Sequence, residues 1–182
     1  VFGKEELFML KKLAVCLVAI IVSTSCVNGQ TDEASQFKAD FIVKLVDYVT
    51  WPSGVPSSAD GVVVGVVGET PLLPEIERMA ADKTSSGTKV TVKSMSYEDN
   101  LGDANIVFMA TTELPDLAKV LKGVAGKPVL TVADAEGFAG YGVMINFFLD
   151  DKAKVKFEAN TLAAKDAGLK ISSKLLKLAK LI

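Results

Sequence analysis

Val62-Val63-Val64-Gly65-Val66-Val67 is an unbroken apolar run of six residues, five of them β-branched, set between Gly61 and Gly68. A strand with one face in water alternates apolar and polar residues. A run that is apolar at every position suits a strand covered on both faces, as parallel strands in α/β proteins are. The run predicts a central parallel strand with helices packed above and below it, and it frames the reading of the segments on either side.

Downstream, Leu73 to Asp82 carries a helical pattern that closes at Ser85-Ser86-Gly87, and Lys89-Val90-Thr91-Val92-Lys93 alternates as a strand with one wetter face. Asn105 to Met109 reads as another apolar strand, Leu114 to Leu121 as a short helix, and Pro128 to Val132 as a further strand. Strand, helix, strand, repeated, is the rhythm of a mostly parallel sheet. Val143 to Leu149 and Val155 to Ala159 flank the turn signal Asp150-Asp151-Lys152, which predicts an antiparallel hairpin. Asn160-Thr161 caps a short helix ended by Gly168, and Ser172-Ser173 opens a last helix containing Leu175, Leu176, Leu178 and Ala179. Upstream, Phe37, Phe41, Ile42, Leu45, Val46, Tyr48 and Val49 recur at helical spacing, and Trp51-Pro52 closes that helix around Thr50. The expectation is a single α/β domain: a mainly parallel sheet flanked by helices on both faces, with a C-terminal antiparallel hairpin and terminal helices.

The first 29 residues read as an address. Met9-Leu10-Lys11-Lys12 opens a basic stretch, Leu13 to Val22 is an apolar run of ten, and small polar residues follow from Ser23. This is the layout of a secretory signal peptide, and the run falls short of the ~20 residues that span a bilayer as helix. The expected cut precedes Gln30, which leaves 30–182 as the exported domain, while Val1 to Phe8 reads as sequence upstream of a start at Met9. Cys26 follows Ser23-Thr24-Ser25 and offers lipid attachment as the alternative processing.

The whole chain has 182 residues, 20 Lys plus Arg, 22 Asp plus Glu, no histidine and two cysteines, Cys16 and Cys26. Removing residues 1–29 discards both cysteines with Lys4, Lys11, Lys12, Glu5 and Glu6, and leaves a net charge of −3. Arg78 is the only arginine and the lysines are scattered, so the chain lacks the basic footprint of a nucleic-acid binder. Without histidine it also lacks the side chain most used for proton transfer near neutrality and for metal ligation.

The remaining chemical candidates have plain structural readings. Gly65-Val66-Val67-Gly68 sits where phosphate loops occur, but it has neither GxGxxG spacing nor a following Lys-Ser/Thr, so a tight turn is expected. Gly137 to Gly142 reads as a loop before a buried strand. Asp134 with Glu136, and Asp150 with Asp151, are carboxylate pairs of the kind that solvated turns carry. No GxSxG elbow positions a serine. Lys174, Lys177 and Lys180 form a solvated stripe near the C-terminus, and Trp51 either covers the edge of the core or meets a partner. No catalytic residue, metal site or cofactor is expected.

Three blocks together resemble the YfiR family of exported regulators. They are Phe37-Lys38-Ala39-Asp40-Phe41-Ile42 leading to Tyr48-Val49-Thr50-Trp51-Pro52; Val129 to Asp134 with Phe138-Ala139 and Gly142 to Phe147; and Phe157-Glu158-Ala159-Asn160 with Ala163-Ala164, Ala167-Gly168-Leu169, Ile171 to Leu176 and Leu178-Ala179. The resemblance implies a periplasmic, non-enzymatic protein. Such a protein binds and represses a membrane diguanylate cyclase through its periplasmic portion, which lowers cyclic di-GMP and biofilm formation. It further implies an outer-membrane lipoprotein that sequesters the repressor, and it leaves open a sensor kinase as partner and a homodimer. The cysteine pairs of well-known members have no counterpart after residue 29, so redox control does not carry over. Partner-contact candidates are Trp51 and Pro52, with Asn160, Leu169, Ile171, Ser172 and Ser173 from the C-terminal segment. The alternative is a small-ligand binding module, with its pocket at the carboxyl ends of the parallel strands near Gly68.

Overall fold

The Val62–Val67 run forms strand β2, buried at every position except the half-buried Val63. The computed structural model describes residues 28–55 and 61–182, and Ala34–Ile182 forms one compact unit. The predicted signal segment up to Val27, the expected start at Met9 and Cys26 lie outside the described residues, as do residues 56–60 of the connector.

Strand β2 pairs in parallel with β3 (Val90–Met95) on one side and β4 (Ile106–Met109) on the other. With β1 (Val49–Thr50) preceding it and β5 (Leu130–Ala133), β6 (Ile145–Leu149), β7 (Val155–Ala159), β8 (Lys170–Ile171) and β9 (Lys180–Leu181) following, the seven-stranded sheet has the order β3-β2-β4-β5-β6-β7-β9. Every pairing in it is parallel except the predicted hairpin β6–β7, and β1 pairs antiparallel with β8 in a separate two-stranded sheet. Helices α1 (Asn28–Lys44), α2 (Leu73–Ser85), α3 (Leu114–Val124), α4 (Thr161–Asp166) and α5 (Ser173–Leu176) complete the described elements.

Alternation along the central strands divides the core in two. Val62, Val64, Val66, Ile106, Phe108, Leu130 and Val132 pack with Ile42 of α1, Ile76 of α2 and Leu175 of α5. Val67, Val107, Met109 and Ala133 face the other way, against Leu117 and Val120 of α3 and against Phe138. Helices cover both faces, which is why β2 is apolar throughout.

Two expectations are corrected at their ends. The first helix does not run to Thr50. It stops at Lys44, passes through a 3-10 turn at Leu45–Asp47 and gives way to β1, where Val49 pairs with Ile171 and Thr50 with Lys170. Pro52 disfavours helix just upstream, and two β-branched residues find a strand partner more than a hundred positions away. The last helix does not reach Ala179. α5 is four residues long, and Lys180–Leu181 joins the main sheet beside β7 as β9. The three-residue lysine period imitates a helix, but sheet pairing takes the segment instead. The Gly137–Gly142 stretch is likewise more ordered than a loop: Phe138–Tyr141 forms a 3-10 turn that buries Phe138 and Ala139.

Candidate functional site

The β1–β8 pairing gathers most of the partner-contact candidates. Trp51, just after β1, is 9% exposed, and its indole Nε1 has no hydrogen-bond partner among the described residues. Pro52 is exposed, and its Cγ lies 3.8 Å from where a Cβ on Gly168 would stand. Gly168 adopts φ +75, the left-handed conformation that ends α4 and that a side chain resists. Ile171 lies opposite Val49, the Ser172 amide donates to the Tyr48 carbonyl at 2.7 Å, and Ser173 is exposed at the first residue of α5.

Other candidates serve the fold directly. Leu169 is buried in the core. The Asn160 Oδ1 accepts from the Ala163 amide at 2.9 Å, capping α4, while its Nδ2 donates to the Ala139 carbonyl at 2.9 Å. The Ser172 Oγ accepts from the Lys174 amide and caps α5.

Sequence reasoning missed a groove of about 520 Å3 between α1, β7 and α5. Phe41 and Phe157 meet in it at 4.6 Å between ring centroids, with Phe37 6.0 Å from Phe41. Leu178, 73% exposed, closes the far side, and Lys44, Lys156 and Lys174 stand on the lining with Asp40. The signal was present: Phe37 continues the apolar face of α1 yet stays 45% exposed. Only the tertiary neighbour turns that face into a wall.

A polar chain also runs across the hairpin, from the buried Asn146 and Glu158 to the exposed Lys180. Asn146 accepts from the Ala135 amide at 3.4 Å and donates to Glu158 at 3.4 Å, and Lys180 donates to the other Glu158 oxygen at 2.8 Å. On the far side of β5, Lys38 reaches Asp134 at 2.6 Å. That contact commits one member of the Asp134 and Glu136 pair to joining α1 with the end of β5. Asp150 accepts from the Lys152 and Lys154 amides in the hairpin turn. These donors, the Lys154 amide foremost, hold its carboxyl below the usual aspartate value.

At the switch in strand order between β2 and β4, Gly68 has φ +89, and a Cβ there would meet the Ala110 carbonyl and the Tyr97 hydroxyl, each at 3.5 Å. The turn is packed against its neighbours. Among the described residues, no group of three or more acidic, His or Cys side chains is placed to hold a metal, and no helix is long and apolar enough to cross a membrane.

The three sequence blocks thus fall on α1 and β1, on β5 to β6, and from β7 to just past α5, all within one α/β unit. A model of the YfiR/HmsC-like family matches residues 35–180. The chain belongs to this family. Among solved structures, this YfiR/HmsC-like chain is similar to the ABC domain in complex with L-Trp from Streptococcus pneumonia, with a TM-score of 0.55 at 12% identity over 79% of the chain. It also matches a conserved domain protein from Vibrio cholerae, with a TM-score of 0.49 at 12% identity over 81% of the chain. The chain spans 59% of the length of each. The first likeness concerns the fold alone, a parallel sheet with helices on both faces.

Proposed function

We propose that this YfiR/HmsC-like chain is an exported periplasmic regulator that binds and represses a membrane signalling protein, a diguanylate cyclase, and so lowers cyclic di-GMP and biofilm formation. The observation that carries the reading is the family match over residues 35–180, nearly the whole of the predicted exported domain. The Met9–Ser25 export pattern supports it, because a domain delivered across the membrane reaches a cyclase only through that enzyme's periplasmic portion.

Repression at a distance requires that the regulator bind one conformation of the enzyme more tightly than the other. A coupling of about 1–3 kcal/mol changes the equilibrium some 5- to 150-fold, which is enough to silence a cyclase. The proposed contact face is the rim of the β1–β8 sheet, with Pro52 and Ser173 exposed, Ile171 and Ser172 half-buried beside them and Trp51 buried behind. Asn160, which caps α4, and the buried Leu169 anchor the segment that leads into β8. A strain lacking the gene should contain more cyclic di-GMP and attach more strongly to surfaces. Unchanged nucleotide level and unchanged attachment sink the proposal, and co-purification from detergent-solubilised membranes identifies the bound enzyme.

A further inference from the structure

The groove between α1, β7 and α5 has a floor and a rim of different chemistry. Its floor is hydrocarbon: Phe41, Phe157 and Leu175 are packed into the core, and Phe37 and Leu178 extend the apolar surface outward into water. Its rim is charged, with Lys44 and Lys174 against Asp40. Lys44 is paired with Asp40 at 2.7 Å, whereas Lys174 has no ion-pair partner among the described residues, and alternation along β7 turns the Lys156 side chain to the face opposite Phe157. The unpaired Lys174 ammonium stands beside apolar surface, where an anion gains more from it than in open water.

A volume of about 520 Å3 is that of a small-molecule site. The lining offers few directional groups beyond the lysines, Asp40 and the Tyr48 hydroxyl, so recognition rests on apolar area and on charge. An occupant that matches both has a featureless apolar body and one anionic head. We propose that this groove binds a medium- to long-chain fatty acid as its carboxylate, the chain lying along Phe37, Phe41, Phe157 and Leu178 and the carboxylate meeting Lys174. This inference goes beyond the repressor reading and stands without it.

The test is calorimetric titration of protein purified from full-length expression with decanoate, dodecanoate and tetradecanoate, each below its micelle-forming concentration. Affinity should rise about fourfold per methylene seated in the groove, the equivalent of ~0.8 kcal/mol, until the groove is filled. Lys174→Glu alters only an exposed side chain and should keep its melting temperature while binding dodecanoate about tenfold more weakly. Leu178→Asp should weaken binding at unchanged fold, and dodecanol, which lacks the charge, should bind more weakly than dodecanoate. Absence of binding, affinity independent of chain length, or equal affinity in the charge-reversed variant overturns the proposal. So does tighter binding of an aromatic carboxylate or an acidic peptide at Lys174.

Discussion

The Asn160 side-chain amide donates to the Ala139 carbonyl at 2.9 Å across 21 positions of sequence. The same side chain caps α4 through Oδ1, so one residue fixes both the start of that helix and the 3-10 turn beneath it. Asn160→Ala should cost about 2 kcal/mol, roughly 1 for the cap and roughly 1 for the lost hydrogen bond. Asn160→Asp keeps the cap and loses the donor, so about half of that cost should return. Urea unfolding of both variants reads the difference. Undiminished stability in Asn160→Ala, combined with lost repression in cells, would instead assign Asn160 to the partner contact.

Trp51 carries a buried indole N–H with no partner among the described residues, although its ring is part of the larger core. Removing the donor while keeping an aromatic ring should therefore cost little: the penalty of an unsatisfied buried group, about 1–3 kcal/mol, offsets the smaller ring's lost contacts. Trp51→Phe is expected to unfold within about 1 kcal/mol of the parent, and Trp51→Ala to lose about 3–5 kcal/mol. If Trp51→Phe keeps its stability yet loses binding to the proposed membrane partner, the indole N–H is answered by that partner.

Asp150 should titrate below the ordinary aspartate range, because the Lys154 and Lys152 amides donate to its ionised carboxyl in the hairpin turn. A carboxyl whose folded value is depressed adds stability above the unfolded value and loses it as pH falls through the folded value. The melting-temperature gap between the parent and Asp150→Asn should hold near neutrality and narrow as the solution is acidified. Carbon-detected NMR titration of the carboxyl checks the direction of the shift, and a value above the ordinary range would contradict the hydrogen bonding seen in the turn.

How far the fold was legible depends on the range of the forces that shape each element. Val62–Val67 announces its environment residue by residue, and Asn160 with Gly168 bounds α4 through contacts inside one short segment. The hairpin is legible for the same reason, since Asp150 satisfies its own turn. β1 and β9 are not local in this sense. Val49 becomes a strand residue only because Ile171 comes to lie opposite it, and Lys180 only because Glu158 does. The groove is hidden more deeply, because Phe37, Phe157 and Leu178 are ordinary apolar residues until three distant elements meet around them.

The pairing that defines β9 can be tested through its charges. Glu158 is 8% exposed and lies between the Asn146 amide and the Lys180 ammonium, so losing Lys180 leaves a buried carboxylate with only a 3.4 Å hydrogen bond to answer it. Lys180→Ala should therefore cost about 2–3 kcal/mol, more than an exposed ion pair is worth, because the penalty comes from the charge left behind. Glu158→Gln removes that charge while preserving shape, and the two changes together should cost less than their sum by about 1 kcal/mol or more. Chemical unfolding of the three variants measures the coupling. Hydrogen exchange at the Ile182 amide, which donates to the Ala159 carbonyl, should quicken in Lys180→Ala if the ion pair holds the last strand to the sheet. Simple additivity with unchanged exchange would mean that backbone pairing alone keeps β9 in place.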